Sequence, residues 1–180
     1  VEEQKDETPS KSNNPLITLT QNAAASKATI EAVAHAKTSV QAQLHQINRT
    51  EMNDAIIKAA KAGARVSILL DRASANYSRT AVSAMINAGA TVTIDKSVDS
   101  FSGNTIVIDE KKLLIGSMWF GKNNARVFEQ MISTEDDVAV KDAMNTLAEK
   151  VKNGEAQKAS GSTSTPSKTT AAAAAPAASH

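Results

Sequence analysis

The sequence predicts an α/β sandwich, with a mixed, mostly parallel sheet flanked by helices. Three observations predict it. First, "KAGARVSILLD" (61–71) and "NAGATVTID" (87–95) echo each other as a helix end, a glycine and a strand. Second, "SVQAQLHQIN" (39–48) alternates Val40, Ala42 and Leu44 with Gln41, Gln43 and His45, the period of a strand. Third, "TIVIDEKKLLIGS" (105–117) holds two short apolar runs around Glu110 and Lys112. Helices alternating with short strands imply parallel strands joined by crossover helices. The last stretch adds an antiparallel hairpin.

The elements follow in order. Asn22 is placed to cap a helix reaching Lys37, with Ala23, Ile30, Val33 and Ala34 as its apolar stripe. The alternating strand comes next. Thr50 is placed to cap a second helix, with Met52, Ala55, Ile56, Ala59 and Ala60 inward. Gly63 and Gly89 suit the left-handed position just past a helix end. Between their strands, 77–88 reads as a helix burying Ala81, Val82, Met85 and Ile86. Thr134 with Asp137 resembles a capping box for a last helix to Val151. Val138, Ala139, Met144 and Leu147 are expected to face the sheet.

The 180 residues have room for one ordinary domain. Residues 1–15 are polar and charged, and 154–180 are rich in Ala, Ser, Thr, Lys and Pro. Both ends are expected to be disordered, because they have too little large apolar surface to offset ordering entropy. The domain is expected over 16–153. Net charge is +1, with no basic stripe or aromatic platform, which stands against nucleic-acid binding. No apolar run approaches the roughly 18 residues of a membrane span. Absence of cysteine excludes disulfides, thiolate metal sites and a cysteine nucleophile. The first residue is Val1 rather than Met. A removed export signal and trimming would each account for that.

The run of helix, strand, helix, strand, helix, strand and hairpin ending in Gly-Ser resembles one repeat of the phospholipase D superfamily. It is most similar to the small bacterial nucleases that carry one motif per chain. "EMNDAIIKAAKAGARVSILLDR" and "AVSAMINAGATVTID" are similar to the family's helix–strand units. The family signature is His-x-Lys-x4-Asp, then Gly-Ser and usually an Asn two residues later. The resemblance implies metal-free chemistry, in which one His attacks phosphorus, another protonates the leaving oxygen, and lysines bind phosphate oxygens. No cofactor or metal is implied.

Placed residue by residue, Asp109 fits the motif Asp, and Gly116 and Ser117 fit the Gly-Ser step. The His position holds Ser102, the Lys position holds Asn104 and the Asn position holds Trp119. Glu129 fits a downstream acid of the family, with one residue of slippage. A dimer cannot restore what both copies lack.

Other residues carry weaker readings. His45 ends the second strand at the expected crevice, and is a candidate displaced base or anion ligand. Ser102 would need a base to act as a nucleophile. Asp71 and Asp95 end strands and could share a crevice as paired carboxylates. Asp109 is expected to accept hydrogen bonds from the next turn or from Ser117. Trp119, with Phe120 beside it, reads either as an interface anchor or as filling for the vacated pocket. Lys111 and Lys112 read as turn charges. His35 and His180 read as incidental, and three scattered histidines lack metal-ligand spacing.

The expected function is a catalytically silent phospholipase D-like domain. It would serve as a structural or protein-binding subunit, exported to the periplasm or outer membrane and part of a bacterial envelope or type IV secretion complex. The alternatives are a divergent metal-free phosphodiesterase or nuclease using His45, and a nucleic-acid binder that no longer cleaves. A homodimer packed through the old active-site face is a further expectation.

Overall fold

The computed structural model describes residues 10–11, 17–77, 79–121 and 127–159. The sheet runs in the order β1 (Ser10–Lys11), β2 (Ile17–Gln21), β8 (Gln130–Thr134), β7 (Lys112–Gly116), β6 (Asn104–Ile108), β3 (Ser39–Leu44), β4 (Arg65–Asp71), β5 (Thr91–Asp95) and β9 (Glu155–Ala156). Helices α1 (Ala23–Ala34), α2 (Thr50–Lys61), α3 (Arg72–Tyr77) and α4 (Arg79–Asn87) lie between the early strands, and α5 (Asp137–Asn153) follows β8. The main core packs α1, α2 and α4 against Val40, Leu44, Ile68, Val92 and Ile106 on one sheet face. A smaller cluster packs Val140 and Leu147 of α5 against Val107 and Leu113 on the other.

The expected mixed α/β sandwich is present, but its balance differs. Among the described residues only β3–β4 and β4–β5 pair in parallel, and every other pairing is antiparallel. The sheet is therefore not mostly parallel. The cause is an antiparallel wing: β7 turns back on β6, β8 on β7, and β2 closes on β8. Neither β2 nor β8 stands out in the sequence, because "ITLTQ" and "QMIST" are short and half polar. Paired backbone also crosses the boundaries expected at 16 and 153: β1 adds to β2 and β9 to β5. Residues 1–9, 12–16 and 160–180 lie outside the described residues.

Gly63 and Gly89 have φ of 95° and 102°, the left-handed turn expected past a helix end. The other helix boundaries need correction. Asn22 precedes α1 at φ 55° but its side chain caps nothing. Helix α1 ends at Ala34 rather than Lys37, and its buried stripe is Ala25, Thr29 and Val33, with Ala23 exposed. Thr50 is the first helical residue, after an extended Arg49, and is not a cap. The helix expected over 77–88 is α4, and α3 precedes it directly after Asp71. Thr134 still belongs to β8, paired with Ile17, so the cap of α5 falls to Asp136. The Asp136 carboxylate accepts from Ala139 N at 2.9 Å. That start leaves Val138 67% exposed and buries Val140 instead.

Gly116 sits where β7 passes β8. A Cβ there would fall on the carbonyl oxygen of Gln130 and 2.8 Å from Met131 Cα. Backbone cannot yield as a flexible side chain can. Gly116→Ala is therefore expected to cost about 2–3 kcal/mol or more, read from the urea midpoint. An unchanged midpoint would mean that β7 and β8 do not pair in this register.

Candidate functional site

The C-terminal ends of β3 and β4 meet the N-terminal end of β6, and here every motif position but Asp109 gathers. Asn104 opens β6 and is buried. Its Oδ1 accepts from His45 N at 2.8 Å, and its Nδ2 donates to Met118 O at 2.6 Å. The side chain thus ties the end of β3 to the segment after β7. Ser102 lies exposed in the loop before β6. Gly116 faces Asn104 in register. Ser117 closes the start of β8, donating N–H to Gln130 O at 2.8 Å and accepting at Oγ from Gln130 N at 3.2 Å.

Asp109 lies at the far end of β6. With Glu110 it forms the centre of the β6–β7 turn, at φ 54° and 58°, the left-handed pair that tight hairpins require. Bonds from Ser117 or the following turn are expected from the sequence, but its donors lie in the α1–β3 loop instead. Its Oδ1 accepts from Thr38 N at 2.7 Å and Ser39 N at 3.1 Å, and Lys37 N also donates to the carboxylate. Asp109 is a clasp between the hairpin and the α1–β3 loop. Burial pushes its carboxyl up, but these backbone donors outweigh it and hold it below the usual aspartate range.

His45 and Asp71 do come together. His45 Nδ1 lies 2.6 Å from Asp71 Oδ2, with Asp71 fully buried and the His45 side chain 22% exposed. Asp71 also accepts from Phe101 N at 2.9 Å and Ser74 N at 2.6 Å. Burial pushes the Asp71 carboxyl up, but bonds from Phe101, His45 and Ser74 bring it net below its ordinary value. An ionised carboxylate fixing an imidazole through Nδ1 is the geometry of an oriented base. Ser100 Oγ, however, approaches the same Nδ1 at 3.3 Å, and among the described residues no serine is bonded to the opposite nitrogen. No described residue links Ser102 to His45.

Asp95 neighbours Asp71 in register, but the two carboxylates are engaged separately. Asp95 accepts from Ser97 N at 2.9 Å and Lys150 Nζ at 3.0 Å. Ser97 first, then Lys150, hold its carboxyl low against a modest burial penalty. Neither aspartate is pushed up to serve as the acid of a pair, so the paired-carboxylate reading is set aside. Glu129 is buried, and burial pushes its carboxyl up against bonds from Ser26 and Trp119 and the charge of Arg49. It accepts from Ser26 N at 3.0 Å in the first turn of α1, where the helix dipole favours an anion.

Phe120 is fully buried in the main core, which excludes it as an interface residue. Trp119 is half-buried, with its indole lying where a Cβ on Gly121 would fall. Its ring does not enter the main core cluster. Among the described residues no cluster of His, Asp or Glu is suited to a metal, and no helix is long and apolar enough to cross a membrane.

The His45–Asp71 contact was partly legible, since both residues follow an apolar strand run and β3 pairs with β4 in parallel. The contributions of Ser74, Ser100 and Phe101 carried no sequence signal, because the short helix α3 brings in the first and a loop the other two.

The chain matches the family model described as "Cardiolipin synthase, PLD-like domain" over residues 29–152. It belongs to the phospholipase D-like domain family. Comparison with curated proteins found no match. Among solved structures, this phospholipase D-like chain is similar to Nuc, a phospholipase D family member from Salmonella typhimurium. The TM-score is 0.70 at 18% identity, covering 84% of this chain and 99% of Nuc. It is similar to NucT from Helicobacter pylori at TM-score 0.64 and 17% identity, covering 78% and 98%. An archaeal chromatin protein that binds DNA matches at 0.59 and 16%, covering 78% of this chain and 53% of its own. At such identities the likeness establishes the fold.

Asp109 offers a pH test. Its folded pKa is depressed, so its stabilisation is present above the unfolded value and lost as pH falls through the folded one. Asp109→Asn is expected to cost about 1–2 kcal/mol at neutral pH, a gap that closes below about pH 4. Urea titrations of both proteins across that range check it. A gap independent of pH would refute the charge-based clasp.

Proposed function

We propose that this phospholipase D-like domain no longer cleaves phosphodiesters and serves as a protein-binding subunit of an exported bacterial envelope or type IV secretion assembly. The observation that carries the first half is Asn104. It stands where the family places a phosphate-binding lysine, and its amide is committed to His45 N and Met118 O. Ser102, at the nucleophile position, has no base bonded to it among the described residues. Losing both groups removes several powers of ten in rate.

Surface chemistry supports the second half. Ile115, Ile132 and Leu19 are cross-strand neighbours on β7, β8 and β2. Ile115 and Ile132 are 45% and 49% exposed, and Ile17 and Phe128 add to the exposed apolar area. A contiguous apolar row on a sheet face suits contact with another protein. The envelope setting rests on analogy with exported single-motif relatives.

One observation favours a second reading, the His45–Asp71 pair, which is built like an oriented base. Chain recovered from its native source by crosslinking affinity purification decides between them when assayed with chelator on a phosphodiester ester and on DNA. The expected result is recovery with envelope proteins and a rate no higher than that of His45→Ala. Turnover that disappears in His45→Ala would overturn the silent-module reading.

A further inference from the structure

Central parallel strands of an α/β protein are normally apolar on both faces, because helices cover both. Here one face obeys and the other does not. Val40, Ala42, Leu44, Val66, Ile68, Leu70 and Val92 point into the core under α1, α2 and α4. The alternate residues of the same strands face α5 and are almost all polar. Gln41, Ser67 and Thr91 form one row in register across β3, β4 and β5, with Ser39 beside Arg65 one step earlier. Leu69 is the apolar exception on this face of β4.

This face is not simply open. Helix α5 crosses it, and between helix and strands runs a groove of about 580 Å³, within the range of small-molecule sites. Gln41, Ser67 and Thr91 form its floor, and Leu147, Ala148 and Val151 of α5 form an apolar wall. Arg65 and Lys152 also line it. Arg65 is 77% exposed and uses one nitrogen on Glu110, 2.8 Å away, which leaves other guanidinium donors open. Among the described residues, Lys152 forms no ion pair, and the side chains of Gln41, Ser67 and Thr91 make no hydrogen bond within the chain. Violations of local patterning concentrate at functional sites.

We propose that this groove is a binding site for a small organic anion with a flat apolar body. The body would lie against Leu147 and Val151, its polar edge on the Gln41–Ser67–Thr91 row, and its acid group at Arg65 and Lys152. The site is separate from the Ser102 and Asn104 positions, although the motif residue Asp109 accepts from Ser39 N at its end. Ser39 and Arg65 begin their strands, whereas Ser102 and Asn104 lie at the opposite end of the strands, beside the C-terminal end of β3. The proposal therefore stands or falls independently of catalytic silence.

Anilinonaphthalene sulfonate has the required chemistry and is the probe. Fluorescence titration of the full chain is expected to saturate at one molecule per chain. Lys152→Glu, at an exposed unpaired residue, should weaken binding about tenfold or more. Ser67→Phe, which fills the groove, should abolish it. Ile132→Ser, on the separate apolar row, should leave it unchanged. Amide NMR signals of Gln41, Ser67 and Thr91 should move on saturation. Absence of saturable binding, or binding untouched by Lys152→Glu, would overturn the proposal. So would loss of binding in Ile132→Ser with the groove variants unaffected. If Ser67→Phe does not fold, Lys152→Glu and the amide signals decide the matter.

Discussion

The two hydrogen bonds of the Asn104 side chain hold the functional edge of this domain together. One amide joins the end of β3, through His45 N, to the loop after β7, through Met118 O. Both partners are backbone groups, and the Asn104–Met118 bond is buried, so leaving them unpaired would be costly. His45 is then set for its ring to reach Asp71. Met118 and Phe120 are held within the core, and Phe120 O accepts from Arg49 N at the start of α2. A lysine with a phosphate to bind could not supply this bridge, since it has no acceptor.

Two carboxylates at positions marked by the family motif make structural contacts. Asp109 and Glu129 hold positions that the family resemblance had marked, and each closes a contact at one end of the α1 region. Glu129 sits against its first turn and Asp109 against the loop that follows it. Their environments differ in sign. Backbone donors keep Asp109 charged despite burial, whereas burial dominates at Glu129. The Glu129 contribution therefore opposes folding above its unfolded pKa, while that of Asp109 favours it.

Much of the fold was legible because period and punctuation agree. The alternation in β3 and the glycines after α2 and α4 read correctly from residue types alone. The motif frame of Asp109, Gly116 and Ser117 also landed on one hairpin, with the turn at Asp109 and the close approach at Gly116. What failed were features set by distant partners. β2 and β8 pair with each other across more than half the chain, so neither needs a strong local pattern. The cap of α5 shifted because Thr134 is claimed by the sheet. Phe120 looked like a surface anchor beside Trp119, yet neighbours on a chain turning into the core can differ completely in burial. The polar face of β3 was visible as Gln41, Gln43 and His45. That β4 and β5 continue it emerged only from the register.

The central claim is that the lysine position of the motif is now retained for structure. Restoring the family residue tests it most directly, through the urea midpoint of Asn104→Lys at neutral pH. The account predicts a loss of about 2–4 kcal/mol, because two backbone groups lose their partner and a charge enters a buried position. A variant as stable as the wild type, or more stable, would contradict it, and would mean that Asn104 is kept for something other than holding this edge together.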